Sequence, residues 1–145
     1  MMIVLLDTTE LVGIDRGNPN VIDMCKRLTK ANAKLLLSII TVSEIFTGTY
    51  LKKDSKDAVA KARRLLAQFE WIDMNAKIAE KTGELMAHLI SKGEVIEYQD
   101  VVITATFLVA GGDYLITENI DHFSRFPQIK AKVYNAERFL DLNVC

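Results

Sequence analysis

The strongest constraint in this sequence is a pair of short runs that are apolar almost from end to end. Residues 2–6 (Met2, Ile3, Val4, Leu5, Leu6) hold no polar side chain and stop at Asp7, and residues 35–40 break the pattern only at Ser38. A strand with one wet face alternates apolar and polar residues, so an unbroken apolar run predicts a strand buried on both faces, as in a parallel sheet covered by helices. The stretches between these runs carry helical spacing. Asn18 and Pro19 predict an N-cap followed by proline at the first helical position, with a helix to about residue 33. Thr41 is expected to cap a helix through residue 51, and Asp54 or Ser55 to start another with Val59, Ala62, Leu65, Leu66 and Phe69 on one face. Asn75 is expected to cap the next helix, with Gly93 as its stop, and Asp100 to open an apolar helix ending at Gly111 and Gly112. Short strands are expected at 71–74, 114–117 and 131–134, and a last helix at 136–142. Strands alternating with helices predict an α/β fold.

Composition narrows the class further. At 145 residues the chain fits one domain, and with half its residues hydrophobic it has the means to bury a core without staples. That excludes a disordered tail, a collagen-like chain and a disulfide scaffold. Its 18 basic and 19 acidic residues leave a net charge of −1, which excludes binding of polyanions through bulk charge alone. Cys25 and Cys145 form no C-x-x-C pair, so zinc-ribbon and thioredoxin-like chemistry is excluded, and Cys25, beside Met24 and Leu28, is expected to be a buried hydrophobe. No basic segment precedes the first apolar run, and the longest uncharged stretch, 101–112, falls well short of the ~20 residues that span a bilayer. The expectation is a soluble cytoplasmic protein with reduced thiols and no membrane partner.

In a parallel α/β sheet the ligand site lies outside the carboxyl ends of the strands, where strand order reverses. Asp7 follows the first run, Glu44 lies four residues past the second, and Thr117, Glu118, Asn119 and Asp121 follow the strand at 114–117; Asp100 opens the helix leading into that strand. Acids arrive from four places and no basic residue arrives with them. Two like charges ~4 Å apart repel by ~1 kcal/mol in water and ~4 kcal/mol at an effective dielectric near 20. Such a group must take up protons or share a divalent cation. An all-oxygen set suits Mg²⁺ or Mn²⁺, which would bring phosphates to an acidic site and activate water for phosphodiester cleavage. Each acid also has a purely structural reading. Thr41 and Glu44 have capping-box spacing, Asp7 and Asp100 suit N-caps, and Asp121 suits a solvated turn.

At these residues the sequence resembles the PIN-domain ribonucleases, especially the VapC-type toxins of prokaryotic toxin–antitoxin pairs. The matching segments are Leu5-Leu6-Asp7-Thr8-Thr9, Ser43-Glu44-Ile45-Phe46, the stretch 98–106 around Asp100, the stretch 115–123 from Leu115 to Phe123, and the stretch 133–140. They span nearly the whole chain in family order. The resemblance implies one domain over residues 1–145, an α/β/α sandwich with a five-stranded parallel sheet, and metal-dependent cleavage of single-stranded RNA. Carried over by position, Asp7, Glu44 and Asp100 match the family's three most regular acids. Asp7 and Asp100 would be direct ligands of Mg²⁺ or Mn²⁺, and Glu44 would complete the site through a metal or an activated water. Thr8 and Thr117 match supporting hydroxyls. The family's fourth acid falls where Asn119 or His122 stands; Asp121 lies between these slots, so either Asp121 serves in a shifted turn or Asn119 supplies a neutral oxygen, and His122 is a candidate phosphate contact.

The same resemblance implies a homodimer and an antitoxin segment docked in an apolar groove, for which Phe46, Tyr50, Leu51, Leu65, Leu66 and Phe69 are candidates. Lys52, Lys53, Lys56, Lys61, Arg63 and Arg64, opposed only by Asp54 and Asp57, form a basic flank suited to guiding RNA phosphates or simply to facing solvent. Three other readings compete: a PIN nuclease of RNA maturation, an inactive PIN-like binding domain, and a phosphoacceptor module. The last lacks a lysine at the final strand end, where Tyr134 and Asn135 stand.

Overall fold

The computed structural model describes residues 1–95 and 97–145. In chain order the elements are β1 (Ile3–Leu6), α1 (Thr8–Asp15), α2 (Pro19–Lys30), β2 (Lys34–Ser38), α3 (Ile39–Tyr50), α4 (Ser55–Leu66), β3 (Glu70–Ile72), α5 (Ala76–Ser91), α6 (Tyr98–Val109), β4 (Tyr114–Ile116), α7 (Ile120–Phe123), β5 (Val133–Tyr134) and α8 (Ala136–Asp141). The strands form one parallel sheet in the order β3-β2-β1-β4-β5.

Side chains alternate between the two faces of this sheet, and both faces are covered. Val4 and Leu6 join one apolar cluster with Leu11, Met24, Leu28 and Phe139, whereas Leu5 joins the other with Ile78, Leu85, Ile103 and Phe107. Neighbouring strands divide in the same way, Leu36 and Leu115 packing with Leu5, and Leu37 and Ile116 with Val4 and Leu6. Helices on both faces leave no wet side for a polar residue, which accounts for the unbroken apolar runs. The result is the expected α/β/α sandwich.

Topology determines where a ligand can enter. The chain moves outward from β1 to β2 to β3, then returns through α5 and α6 to lay β4 on the other side of β1. Strand order therefore reverses between β1 and β4, and a crevice opens beyond their carboxyl ends. Asp7 and Thr117 are the first residues past those two ends.

Local signals behaved unevenly. The Asn18 side chain accepts from the N–H groups of Asn20 and Val21 at 3.0 and 3.5 Å, and the Asn75 side chain accepts from Ile78 N–H at 2.9 Å, so both caps form as expected. Gly93 has φ of +70° just past α5, the left-handed conformation expected of a helix stop. Thr41 does not cap α3. The β-branched Ile39 and Ile40 read as strand, yet the helix already starts there, capped by Ser38, whose Oγ accepts from Ile40 N–H at 3.2 Å. Asp100 is not the first residue of its helix either: α6 begins at Tyr98 with Glu97 in the N-cap position, so Asp100 lies within the first turn. α1 leaves no apolar stripe in the sequence, because the acidic Glu10 is buried beside Leu11. Cys25 is partly buried, and its thiol is pushed up to about 11 by burial and by the charge of Glu10, which keeps it inert. Among the described residues no helix is long and apolar enough to cross a membrane.

Candidate active site

Asp7 occupies the N-cap position of α1, but its carboxylate caps nothing. Instead Oδ2 accepts hydroxyl hydrogen bonds from Thr9 at 3.1 Å and from Thr117 at 2.8 Å. Each of these hydroxyls in turn accepts a backbone N–H of the segment after β4: Thr9 Oγ1 from Glu118 and Thr117 Oγ1 from Asn119. Two hydroxyls thus carry backbone dipoles to one carboxylate oxygen, and among the described residues Oδ1 takes no side-chain bond. This network fastens the ends of β1 and β4 together at the switch point. Asp7 is only 4% exposed, so an unsupported charge there would be costly.

Glu44 reaches the same place from α3. Because that helix starts at Ile39, Thr41 and Glu44 sit three residues apart inside it, on one face, and both meet Thr8. Thr8 Oγ1 donates to Glu44 Oε1 at 2.8 Å and lies 3.1 Å from Thr41 Oγ1. The capping-box reading of Glu44 therefore gives way to a tertiary contact. Asp100 comes from the first turn of α6, and its Oδ2 lies 3.1 Å from Nδ1 of His122 on α7.

Asp7, Thr8, Thr9, Glu44, Asp100, Asn119 and His122 line one cleft of about 730 Å³, joined by Glu97, Glu118 and Arg16. Burial raises the Glu44 carboxyl above its ordinary range; the Thr8 hydroxyl partly offsets this, and the charges of Asp7, Asp100 and Glu97 add to it. Asp100 is raised first by burial and then by Asp7, with His122 pulling the other way. Thr117 stands behind Asp7, fully buried. Asp121 lies outside the cleft, exposed on α7, because the short helix turns His122 rather than its neighbour toward Asp100.

Three cleft groups escaped the sequence reading as site members: Thr9, Glu97 and Arg16. Glu10 was also missed. Its side chain is fully buried below the site, and burial, together with the charges of Glu118 and Asp7 and a side-chain contact with Glu118, raises its pKa to about 8. The one available signal was a charged residue three places after Asp7, on the first turn of a helix. Of the groove candidates Phe46, Tyr50, Leu51, Leu65, Leu66 and Phe69, Tyr50 and Leu51 are exposed and Leu66 is buried in the core; Leu65 and Phe69 line a trough of about 480 Å³ with Ile14 and Cys25, and Leu65 also joins Leu11, Val12 and Ile45 in a trough of about 450 Å³ between α1, α3 and α4. Lys52 and Lys61 reach this trough and pair with Asp15; Lys53, Lys56, Arg63 and Arg64 are exposed but do not line it.

Asp7, Glu44 and Asp100 present carboxylate oxygens, and the charge of Asp7 raises both Glu44 and Asp100, an arrangement that suits a hard divalent cation. Among the described residues no three His, Cys, Asp or Glu side chains are drawn close enough to grip an ion by themselves. A cation here would rely on one or two carboxylates, with waters and phosphate oxygens completing its shell, as is usual for Mg²⁺.

A PIN domain family model matches residues 4–129. The chain belongs to the PIN-domain family. Within that family, Ribonuclease VapC2 of Rickettsia felis is 30% identical over 128 residues, 88% of this chain and 95% of the relative. The tRNA(fMet)-specific endonuclease VapC of Salmonella typhimurium is 25% identical over 130 residues, 90% of this chain and 96% of the relative. Among solved structures, VapBC2 from Rickettsia felis bound to a fragment of promoter DNA superposes with a TM-score of 0.82 and 27% identity, covering 92% of this chain and 98% of that one. The PIN fold therefore extends over nearly all of the chain.

Proposed function

We propose that this PIN-domain chain is a divalent-metal-dependent endoribonuclease that cleaves single-stranded RNA, the toxin of a toxin–antitoxin pair acting in the cytoplasm. The observation that carries this reading is the meeting of Asp7, Glu44 and Asp100, from three separate elements, in one cleft at the β1–β4 switch point. The names of the similar proteins, ribonuclease and endonuclease among them, support it.

Asp7 and Asp100 would hold Mg²⁺ or Mn²⁺, which when bound supplies charge to draw in the scissile phosphate and to stabilise the oxygens around phosphorus. Thr117 and Thr9 orient Asp7 by fixing Oδ2. Thr8 fixes Glu44 Oε1, leaving Oε2 to take a proton from an attacking water. Burial and neighbouring acids make Glu44 a stronger base than an exposed glutamate, as general-base catalysis near neutral pH requires. The backbone N–H groups of Glu118 and Asn119 brace the hydroxyls that hold Asp7, and Asn119 lines the cleft. Its protein partners are an antitoxin, with a segment docked in the α1–α3–α4 trough beside the cleft, and a second copy of the chain.

Cleavage of single-stranded RNA in EDTA, Mg²⁺ or Mn²⁺, run beside Asp7→Asn purified in the same way, tests this reading. Cutting that needs the cation and disappears in the variant is expected. RNA binding without turnover in Mn²⁺, or equal cutting by the variant, would contradict it.

A further inference from the structure

The cleft that receives RNA under the function proposed above is unevenly charged along its length. Asp7, Glu44, Glu97, Asp100 and Glu118 belong to its acid end, at the β1–β4 switch point. The lining continues at residues 16–20, where α1 passes into α2, and this stretch holds no acid and one cation, Arg16. A divalent cation offsets only part of the acid charge. The other phosphates of a bound strand are repelled from the acid end and need a counter-charge elsewhere in the cleft.

Arg16 stands on a fixed piece of backbone. It is the C-cap of α1, and Gly17 after it has φ of +76°. Gly17 N–H donates to the Ile14 carbonyl at 3.0 Å and Asn18 N–H to the Gly13 carbonyl at 2.8 Å, the pair of bonds that closes a helix on a left-handed residue. Asn18 then caps α2, so the turn is tied on both sides. The Arg16 side chain is exposed, and its charge is not spent within the protein. Its neighbour Asp15 is taken by Lys61 at 3.2 Å and Lys52 at 3.9 Å, and among the described residues Arg16 is in no ion pair.

The rise of ~1.5 Å per residue along α1 sets Arg16 about 13 Å from Asp7. A strand advances ~3.4 Å per nucleotide when stacked and further when extended, so the phosphate that reaches Arg16 is not the one at Asp7. We propose that Arg16 binds an RNA phosphate roughly two to four nucleotides from the cut and thereby sets the register of the strand over Asp7 and Asp100. The guanidinium suits this task, since its planar fork of N–H donors matches phosphate oxygens and stays charged at any working pH.

The test uses the full chain at saturating Mn²⁺ and a short single-stranded RNA in which single neutral methylphosphonate linkages are walked outward from the cut. For the wild type, one position away from the cut should raise KM about tenfold, the size of one lost charge-assisted contact, with kcat within about twofold. Arg16→Ala should raise KM by the same factor on unmodified RNA and lose its sensitivity at that position. Its dependence of log(kcat/KM) on log salt should be shallower by about 0.7, one phosphate contact on a single strand, and Arg16→Lys should restore that slope. Undiminished sensitivity in Arg16→Ala would overturn the proposal, as would a loss of kcat at unchanged KM. Arg16 also borders the α1–α3–α4 trough, and wild-type KM and salt slope in Arg16→Ala would leave it to the occupant of that trough, defeating this inference alone. A wild type that cuts no RNA defeats the functional reading beneath it as well.

Discussion

Thr117 Oγ1 donates to Asp7 Oδ2 at 2.8 Å across the junction of β1 and β4, with Thr117 wholly buried and Asp7 4% exposed. The same hydroxyl accepts Asn119 N–H at 2.9 Å, so the carboxylate and the segment after β4 form one unit. Thr117→Val keeps the shape and removes both bonds. A hydrogen bond to a buried charge is worth about 1.5–3 kcal/mol, and the loss should appear as that decrease in urea-unfolding free energy in EDTA. Thr117→Ser should retain most of it. A valine variant as stable as wild type would show that Asp7 does not depend on this donor.

Glu10 makes stability depend on pH in an unusual sense. Its pKa is about 8 in the folded chain and near the ordinary 4.5 when unfolded, so between those values the folded state binds more protons. Stability then falls as pH rises through the window from 4.5 to about 8. The raised carboxyls of Glu44 and Asp100 act in the same direction. The Glu10 contribution is of the order of several kcal/mol at the upper end of the window. Glu10→Leu should flatten the profile in EDTA and raise stability most at pH 8. Stability that rises with pH across this window in the wild type would contradict the placement of Glu10.

The parts of the molecule that repeat a simple pattern could be read without coordinates. Val4, Leu5 and Leu6 announced a strand covered on both faces, and Asn18-Pro19 and Asn75 announced helix starts, because these signals depend on near neighbours alone. α1 could not be read, since its buried face includes Glu10, and burial of a charge is decided by tertiary packing. The start of α3 was misread because Ile39 and Ile40 favour strands in isolation. At the candidate site, Asp7 and Glu44 stood out as acids following strands, and Asp100 as the acid opening the helix that leads into β4. Thr9, Glu97 and Arg16 did not, since nothing about a threonine, an exposed glutamate or an arginine in sequence tells which cleft it will face.

Gly112 tests the packing where α6 turns into β4, at the end of the sheet away from the cleft. It is buried, and a Cβ at this position would land on the ring of Phe107, itself 1% exposed in the core between α6 and the sheet. The ring has no room to yield, so Gly112→Ala should destabilise by about 1–3 kcal/mol, as overpacking does. Thermal unfolding followed by circular dichroism reads this directly. An unchanged midpoint would mean that α6 joins β4 differently.

Glu44→Gln separates proton transfer from cation binding. The amide keeps the Thr8 contact and loses the base, so kcat on RNA should fall about 10²-fold or more with a smaller change in KM. Thr8→Val, which only releases Glu44 Oε1, should cost less. Single-turnover cleavage at saturating Mn²⁺ measures both. Full activity in Glu44→Gln would remove Glu44 from the reaction.

The central claim is that Asp7 and Asp100 share a divalent cation, and calorimetric titration of the full chain with Mn²⁺ tests it most directly. Wild type should take up Mn²⁺, and Asp7→Asn and Asp100→Asn should each weaken uptake at least about tenfold while still unfolding cooperatively in EDTA, because each change removes a ligand and relieves like-charge repulsion. Wild-type protein that takes up no Mn²⁺, or undiminished affinity in both variants, would contradict the account.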